Sequence, residues 1–120
     1  MGVVKSFPRR DEVWLVALDP AQGSEIQKTR PCLVVSPDES NEHLRTVIVA
    51  PMTTKVRPYP TRVEVRFQRK AGQVALDQIR AVDRGRLGLK LGRVSAQTAS
   101  AVAEVLVEMF TREESDRQME

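Results

Sequence analysis

The chain predicts a mainly β fold, a small antiparallel barrel carrying one C-terminal helix. Short apolar or alternating runs separated by Gly and Pro turns fill residues 12 to 82, and a single amphipathic segment follows them. Strands crowded ahead of one helix pack best as a curled sheet with the helix laid against it. A length of 120 residues suits one domain with a core of its own. That domain is expected over 1–110, and the polar stretch 111–120 is expected to be a disordered tail.

Glu12 to Leu18 is an apolar run with β-branched and aromatic members, closed by Asp19-Pro20 and Gly23, and reads as a first buried strand. Pro31 to Ser36 and Thr46 to Ala50 read as two more, with a polar loop from Asp38 to Arg45 between them. Thr61 to Gln68 alternates, placing Val63, Val65 and Phe67 on one face and Arg62, Glu64 and Arg66 on a wet one. Lys70-Ala71-Gly72 reads as the turn of a hairpin, and Gln73 to Val82 as its returning strand. Gly85, Gly88 and Gly92 punctuate a loop. Ser95 is a natural N-cap for a helix with Val102, Val105, Leu106 and Met109 at helical spacing, residues that serve packing.

Composition excludes several chemistries. One cysteine, Cys32, cannot form an internal disulfide, and with one histidine, His43, no Cys/His zinc set exists. No metal and no cofactor are expected. Met1 to Arg10 lacks the apolar core of a signal peptide, and no apolar run is long enough to span a bilayer, so a cytoplasmic protein with no membrane partner is expected.

The formal net charge of +3 is unevenly spread. Residues 55–93 hold eleven Lys/Arg against three Asp/Glu, a local excess of +8, whereas both flanks are slightly acidic. Such a distribution is the electrostatic footprint of a partner rich in phosphate or carboxylate, and arginine, the better phosphate ligand, dominates it.

Three polar segments join the apolar runs: Gly23-Ser24-Glu25 leading to Arg30-Pro31, then Pro51-Met52-Thr53-Thr54, then Asp77-Gln78-Ile79-Arg80. They offer a guanidinium, hydroxyls, a carboxylate and an amide. With imidazole and thiolate scarce, chemistry built from these parts works by placing charge and hydrogen bonds around an anion. Arg30 precedes a proline, which biases its backbone to an extended strand entrance.

Taken in order, Arg10-Asp11-Glu12-Val13-Trp14, Asp19-Pro20, Gly23-Ser24-Glu25, Arg30-Pro31, Pro51-Met52-Thr53-Thr54 and Asp77-Gln78-Ile79-Arg80-Ala81-Val82-Asp83 resemble the MazF/PemK family. These are toxin endoribonucleases of type II toxin-antitoxin modules. The resemblance implies an SH3-like, CcdB/PemK-type barrel that works as a homodimer. It also implies a metal-independent and ribosome-independent mRNA interferase that cuts single-stranded RNA at chosen sequences. The ribose 2'-OH would attack, leaving a 2',3'-cyclic phosphate and a 5'-OH. The implied partner is a MazE-like antitoxin with an acidic, disordered segment.

The family's essential arginine and threonine fall on Arg30 and Thr53. A guanidinium fork suits the non-bridging oxygens of a scissile phosphate. Arginine, with a side-chain pKa above about 12, is a poor base, so Arg30 is expected to stabilise charge first and protonate the leaving group second. Glu25 is the candidate to accept the 2'-OH proton or orient Arg30, or else it pairs with Lys28 or Arg30 to hold its loop. Thr54, Lys55, Arg57, Tyr59, Gln78 and Arg80 are the expected RNA contacts, with Tyr59 in a proline-stiffened loop as a stacking platform or a packing residue. Asp77 and Asp83 are expected to stabilise the barrel. Two other readings share the fold: a CcdB-like gyrase inhibitor, which would leave Arg30 and Thr53 idle, and a non-catalytic RNA-binding barrel.

Overall fold

Unbroken apolar runs, as in Val13 to Leu18, are what strands buried on both faces require, and the first three strands have that character. The computed structural model describes residues 6–113. It contains β1 (Glu12–Ala17), β2 (Thr29–Val34), a short helix α1 (Asp38–His43), β3 (Thr46–Thr53), β4 (Arg62–Phe67), β5 (Lys70–Ala75), β6 (Arg80–Asp83), β7 (Leu87–Arg93) and helix α2 (Ala96–Phe110). All pairings are antiparallel, and the sheet runs β4-β5-β3-β2-β1-β7. The longest strand, β3, meets β2 along one edge; along the other it pairs first with β6 through Thr46 to Val49, then with β5 through Met52 and Thr53.

Side chains alternate across these strands into two cores. On one face Val13, Leu33, Ala50, Met52, Val63, Val65, Val74 and Leu76 pack with Val102 of α2, and Val105, Leu106 and Met109 lie partly buried against them. On the other face the curl of the sheet encloses Val16, Leu18, Cys32, Val34, Val47, Val49 and Val82. Burial of each Val or Leu is worth about 1.5–3 kcal/mol. The Ser95 Oγ accepts the Thr98 amide hydrogen at 3.2 Å, capping α2 as its sequence position predicts.

Four expectations need correction. The hairpin turn is Gln68-Arg69, both left-handed (φ 50° and 65°), as a two-residue turn matching strand twist requires, and Lys70 to Gly72 already belong to β5. Gln73 to Val82 is not one strand. A 3-10 turn at Leu76–Gln78 breaks it, because Leu76 is drawn fully into the core and the chain then crosses to the far half of β3. The glycine-punctuated loop is strand β7, whose pairing with β1 shifts register so that Leu87 packs on one core and Leu91 on the other. The polar loop after Ser36 contains α1, tied down by buried Asn41, which donates to the Ser36 carbonyl at 3.0 Å. Of the tail, residues 111–113 follow α2 without regular structure, and 114–120 lie outside the described residues.

Candidate active site

The break at Leu76–Gln78 has a consequence for chemistry: it turns Asp77 and Gln78 toward the strand ends that carry Arg30 and Thr53. Between them lies a groove of about 710 Å³. One bank is the loop before β2, through Ser24, Glu25, Ile26 and Gln27, with Arg30 at its foot. The other is the loop after β3, through Thr53, Thr54, Lys55, Arg57 and Tyr59. Arg62, Asp77 and Gln78 form the floor.

Each group is held by identifiable bonds. Arg30 enters on β2, and its Nε donates to the Gln27 carbonyl at 2.9 Å, which aims the guanidinium while its terminal nitrogens have no protein partner among the described residues. At the end of β3 the Thr53 Oγ1 accepts the Lys55 amide hydrogen at 3.1 Å, so its own proton stays available to a ligand. The first bank is self-braced. Glu25 accepts the Gln22 amide hydrogen at 2.6 Å, and Gln78 Oε1 accepts that of Ile26 at 3.1 Å. Among the described residues no ion pair joins Glu25 to Lys28 or Arg30.

The floor is an ion pair. Arg62 donates to both oxygens of Asp77, from Nε at 2.7 Å and from a terminal nitrogen at 3.1 Å, and Thr61 adds a third bond at 3.0 Å. The Arg62 side chain is only 7% exposed. Burial works to raise the Asp77 pKa, but the bonds from Arg62, its own backbone and Thr61 outweigh it and hold the carboxyl below the usual range. Arg62 also lies over the Tyr59 ring, 5.1 Å from its centre, leaving that half-exposed ring with a fixed face.

Of the expected residues, Arg30, Thr53, Glu25, Thr54, Lys55, Arg57, Tyr59 and Gln78 all border this groove. Arg80 does not. It stands on β6 opposite Val49, where its charge and that of Arg30 partly oppose the burial that pushes the Cys32 thiol up to about 12. Gln78 braces the loop through its amide oxygen. Arg62 and Gln73 were missed by sequence reasoning. Strand alternation puts Arg62 on a solvent face, and only the Asp77 crossing brings that face into the groove. A smaller hollow of about 310 Å³ adjoins the first and shares Arg30, Thr53 and Thr54 with it, over an apolar floor that includes Met52, Val65 and Phe67.

Fold and groove together define a small β-barrel with the unpartnered terminal nitrogens of Arg30 and the Thr53 hydroxyl bordering one groove, and with Lys55 and Arg57 along one bank. Residues 9–110 match the model of the PemK-like, MazF-like toxins of type II toxin-antitoxin systems. The chain is 38% identical over 93 residues to the endoribonuclease MazF of Staphylococcus saprophyticus, spanning 72% of this chain and 78% of that one. Among solved structures it resembles MazF from Deinococcus radiodurans, with a TM-score of 0.77 and 25% identity over 88% of this chain and 97% of that one. A mycobacterial endoribonuclease in complex with its cognate antitoxin aligns with a TM-score of 0.74 and 26% identity, over 88% and 99% of the two chains. The chain belongs to the PemK-like, MazF-like toxin family, and it is an endoribonuclease.

Proposed function

We propose that the groove binds single-stranded RNA and cuts it, at sequences it selects, by an internal transesterification that needs neither metal nor ribosome. One observation carries this reading: the unpartnered guanidinium nitrogens of Arg30 and the free hydroxyl proton of Thr53 border one groove, and the bank that carries Thr53 also carries Lys55 and Arg57. The ribose 2'-oxygen bonds to phosphorus and the bond to the 5'-oxygen breaks, leaving a 2',3'-cyclic phosphate and a 5'-OH. Arg30 holds the non-bridging oxygens as their charge grows, and Thr53 donates to the same phosphate. Glu25, with one oxygen committed to Gln22, offers the other to the departing 2'-OH proton. Arg30 returns a proton to the 5'-oxygen.

Lys55 and Arg57 attract the backbone, and Tyr59, backed by Arg62, offers a face for an unpaired base. Arg80, away from the groove, is left out of this machinery. The homodimer and the antitoxin belong to the same reading. A mycobacterial relative is known in complex with its cognate antitoxin, and an acidic disordered segment lying along the basic bank would occlude Arg30 here. No helix of the described residues is long and apolar enough to cross a membrane.

Brief incubation with a long RNA, followed by mapping of both ends, tests the proposal. Cleavage that survives EDTA and is lost in Arg30→Ala and Thr53→Ala supports it. Intact RNA at high enzyme excess overturns it.

A further inference from the structure

The cationic bank is an exposed loop with little to hold it. Val56 is 61% exposed, and the only hydrogen bonds of the described residues that join 56–58 to another element come from one side chain. That side chain is Gln73 of β5. Its Oε1 accepts the Arg57 amide hydrogen at 3.0 Å and its Nε2 donates to the Arg57 carbonyl at 3.1 Å. Gln73 is 5% exposed, so both ends of a buried amide are spent on the backbone of a single loop residue. Its neighbour Gly72 fixes the reacting side of the same bank. A Cβ there would fall 2.5 Å from the Thr53 carbonyl oxygen, so only glycine lets β5 approach the turn after β3 this closely. Gln73 itself stands opposite Thr53 in the strand pairing.

We propose that Gln73 is a positioning residue that presets the Arg57 stretch of the bank for RNA without touching it. The inference rests on the reading of that bank as the RNA-binding wall. Thr53 is held by strand pairing and by the space that Gly72 leaves, and Tyr59 by the Arg62 amide on its carbonyl and the Arg62 guanidinium over its ring, so loss of the Gln73 clamp reaches Arg57 and leaves the reacting centre in place. The freed Arg57 amide and carbonyl turn to water, which an exposed loop permits without unfolding. RNA then has to order the bank as it binds, a cost that preorganisation removes.

The test compares Gln73→Leu, which removes both bonds, with Gln73→Glu, which keeps only the accepting one. Both are made in the parent and in an Arg57→Ala/Tyr59→Ala background, and read on an oligonucleotide carrying a mapped cleavage site. In the parent, Gln73→Leu is expected to raise KM about tenfold, equivalent to about 1.4 kcal/mol, with kcat changed less than about twofold and Gln73→Glu in between. In the double-alanine background the same change should do almost nothing. An equal rise in that background, or a fall in kcat as large as the rise in KM, overturns the inference. A double-alanine protein with unchanged KM overturns instead the reading of the bank as an RNA wall. Amide exchange at Arg57 gives a readout free of RNA: protection lost in Gln73→Leu supports the clamp, and protection unchanged overturns it.

Discussion

Two regions of this barrel are rich in cations, and they use them in opposite ways. At the corner formed by β6 and β7, the cations are engaged with the protein. Arg84 donates to the Ser6 carbonyl at 3.2 Å, Arg86 to those of Ala17 and Asp19, and Arg93 to that of Arg10. Lys90 pairs at 2.8 Å with Glu12, whose buried carboxylate also accepts from the Arg9 amide and the Trp14 indole. Along the groove, the Lys55 ammonium and the terminal nitrogens of Arg30 have no protein partner among the described residues, and the Arg57 guanidinium reaches only the Val56 carbonyl, at 3.4 Å. Within 55–93, Arg62, Arg84, Arg86, Lys90 and Arg93 are bonded to the protein, whereas Lys55 and Arg57 border the groove with little to hold their charged ends. A charge count cannot separate them; hydrogen-bond partners can.

Substitutions should separate the regions clearly. The largest effect is expected at the groove's centre, where Arg30→Ala should slow cleavage about 10²–10³-fold, the usual loss for a group that meets transition-state charge, with stability lowered by no more than about 1 kcal/mol through the lost Gln27 bond. Parallel RNA-cleavage and melting measurements check this. Next comes the floor, where Asp77→Asn should cost about 2 kcal/mol by leaving the buried Arg62 without its anion. Because the folded state holds the Asp77 carboxyl below its ordinary pKa of about 3.9, that stabilisation is complete at neutral pH and fades as pH falls through the lowered value. Urea unfolding of parent and variant should therefore differ at pH 7 and converge as the pH falls through the lowered value.

At the corner the pattern reverses. Arg86→Ala should lower stability by about 1 kcal/mol, through its two carbonyl bonds, and leave cleavage at saturating RNA intact. The smallest effect is in salt dependence: Lys55→Ala or Arg57→Ala should each reduce the log–log salt slope of single-strand binding by about 0.7, and Lys90→Ala should leave it as it was. Binding titrations across a salt series would show whether the two populations are as distinct as their bonding.

Much of this was legible in the residues. Apolar runs marked β1 to β3, alternation marked β4, and Ser95 with its downstream apolar spacing marked α2. Arg30 and Thr53 carried the family resemblance, and they border one groove. What escaped depended on partners distant in sequence. Glycines hid β7, because only its irregular pairing with β1 decides the matter. Arg62 reads as a solvent-facing strand residue until Asp77 arrives fifteen positions later. Gln73 is an unremarked polar residue in a strand, and only the fold of the 54–60 loop over it reveals the clamp. Arg80 erred the other way, sharing a segment with Gln78 but lying across a 3-10 turn from the groove.

The central claim is that Arg30 and Thr53 act on a phosphate attacked by the substrate's own 2'-OH. One RNA oligonucleotide with a single 2'-deoxy sugar immediately 5' of the mapped cut, compared with its all-ribose twin in EDTA, tests it most directly. The account predicts that the deoxy strand binds as tightly as its twin and is not cut at that bond. Continued cleavage there would contradict it.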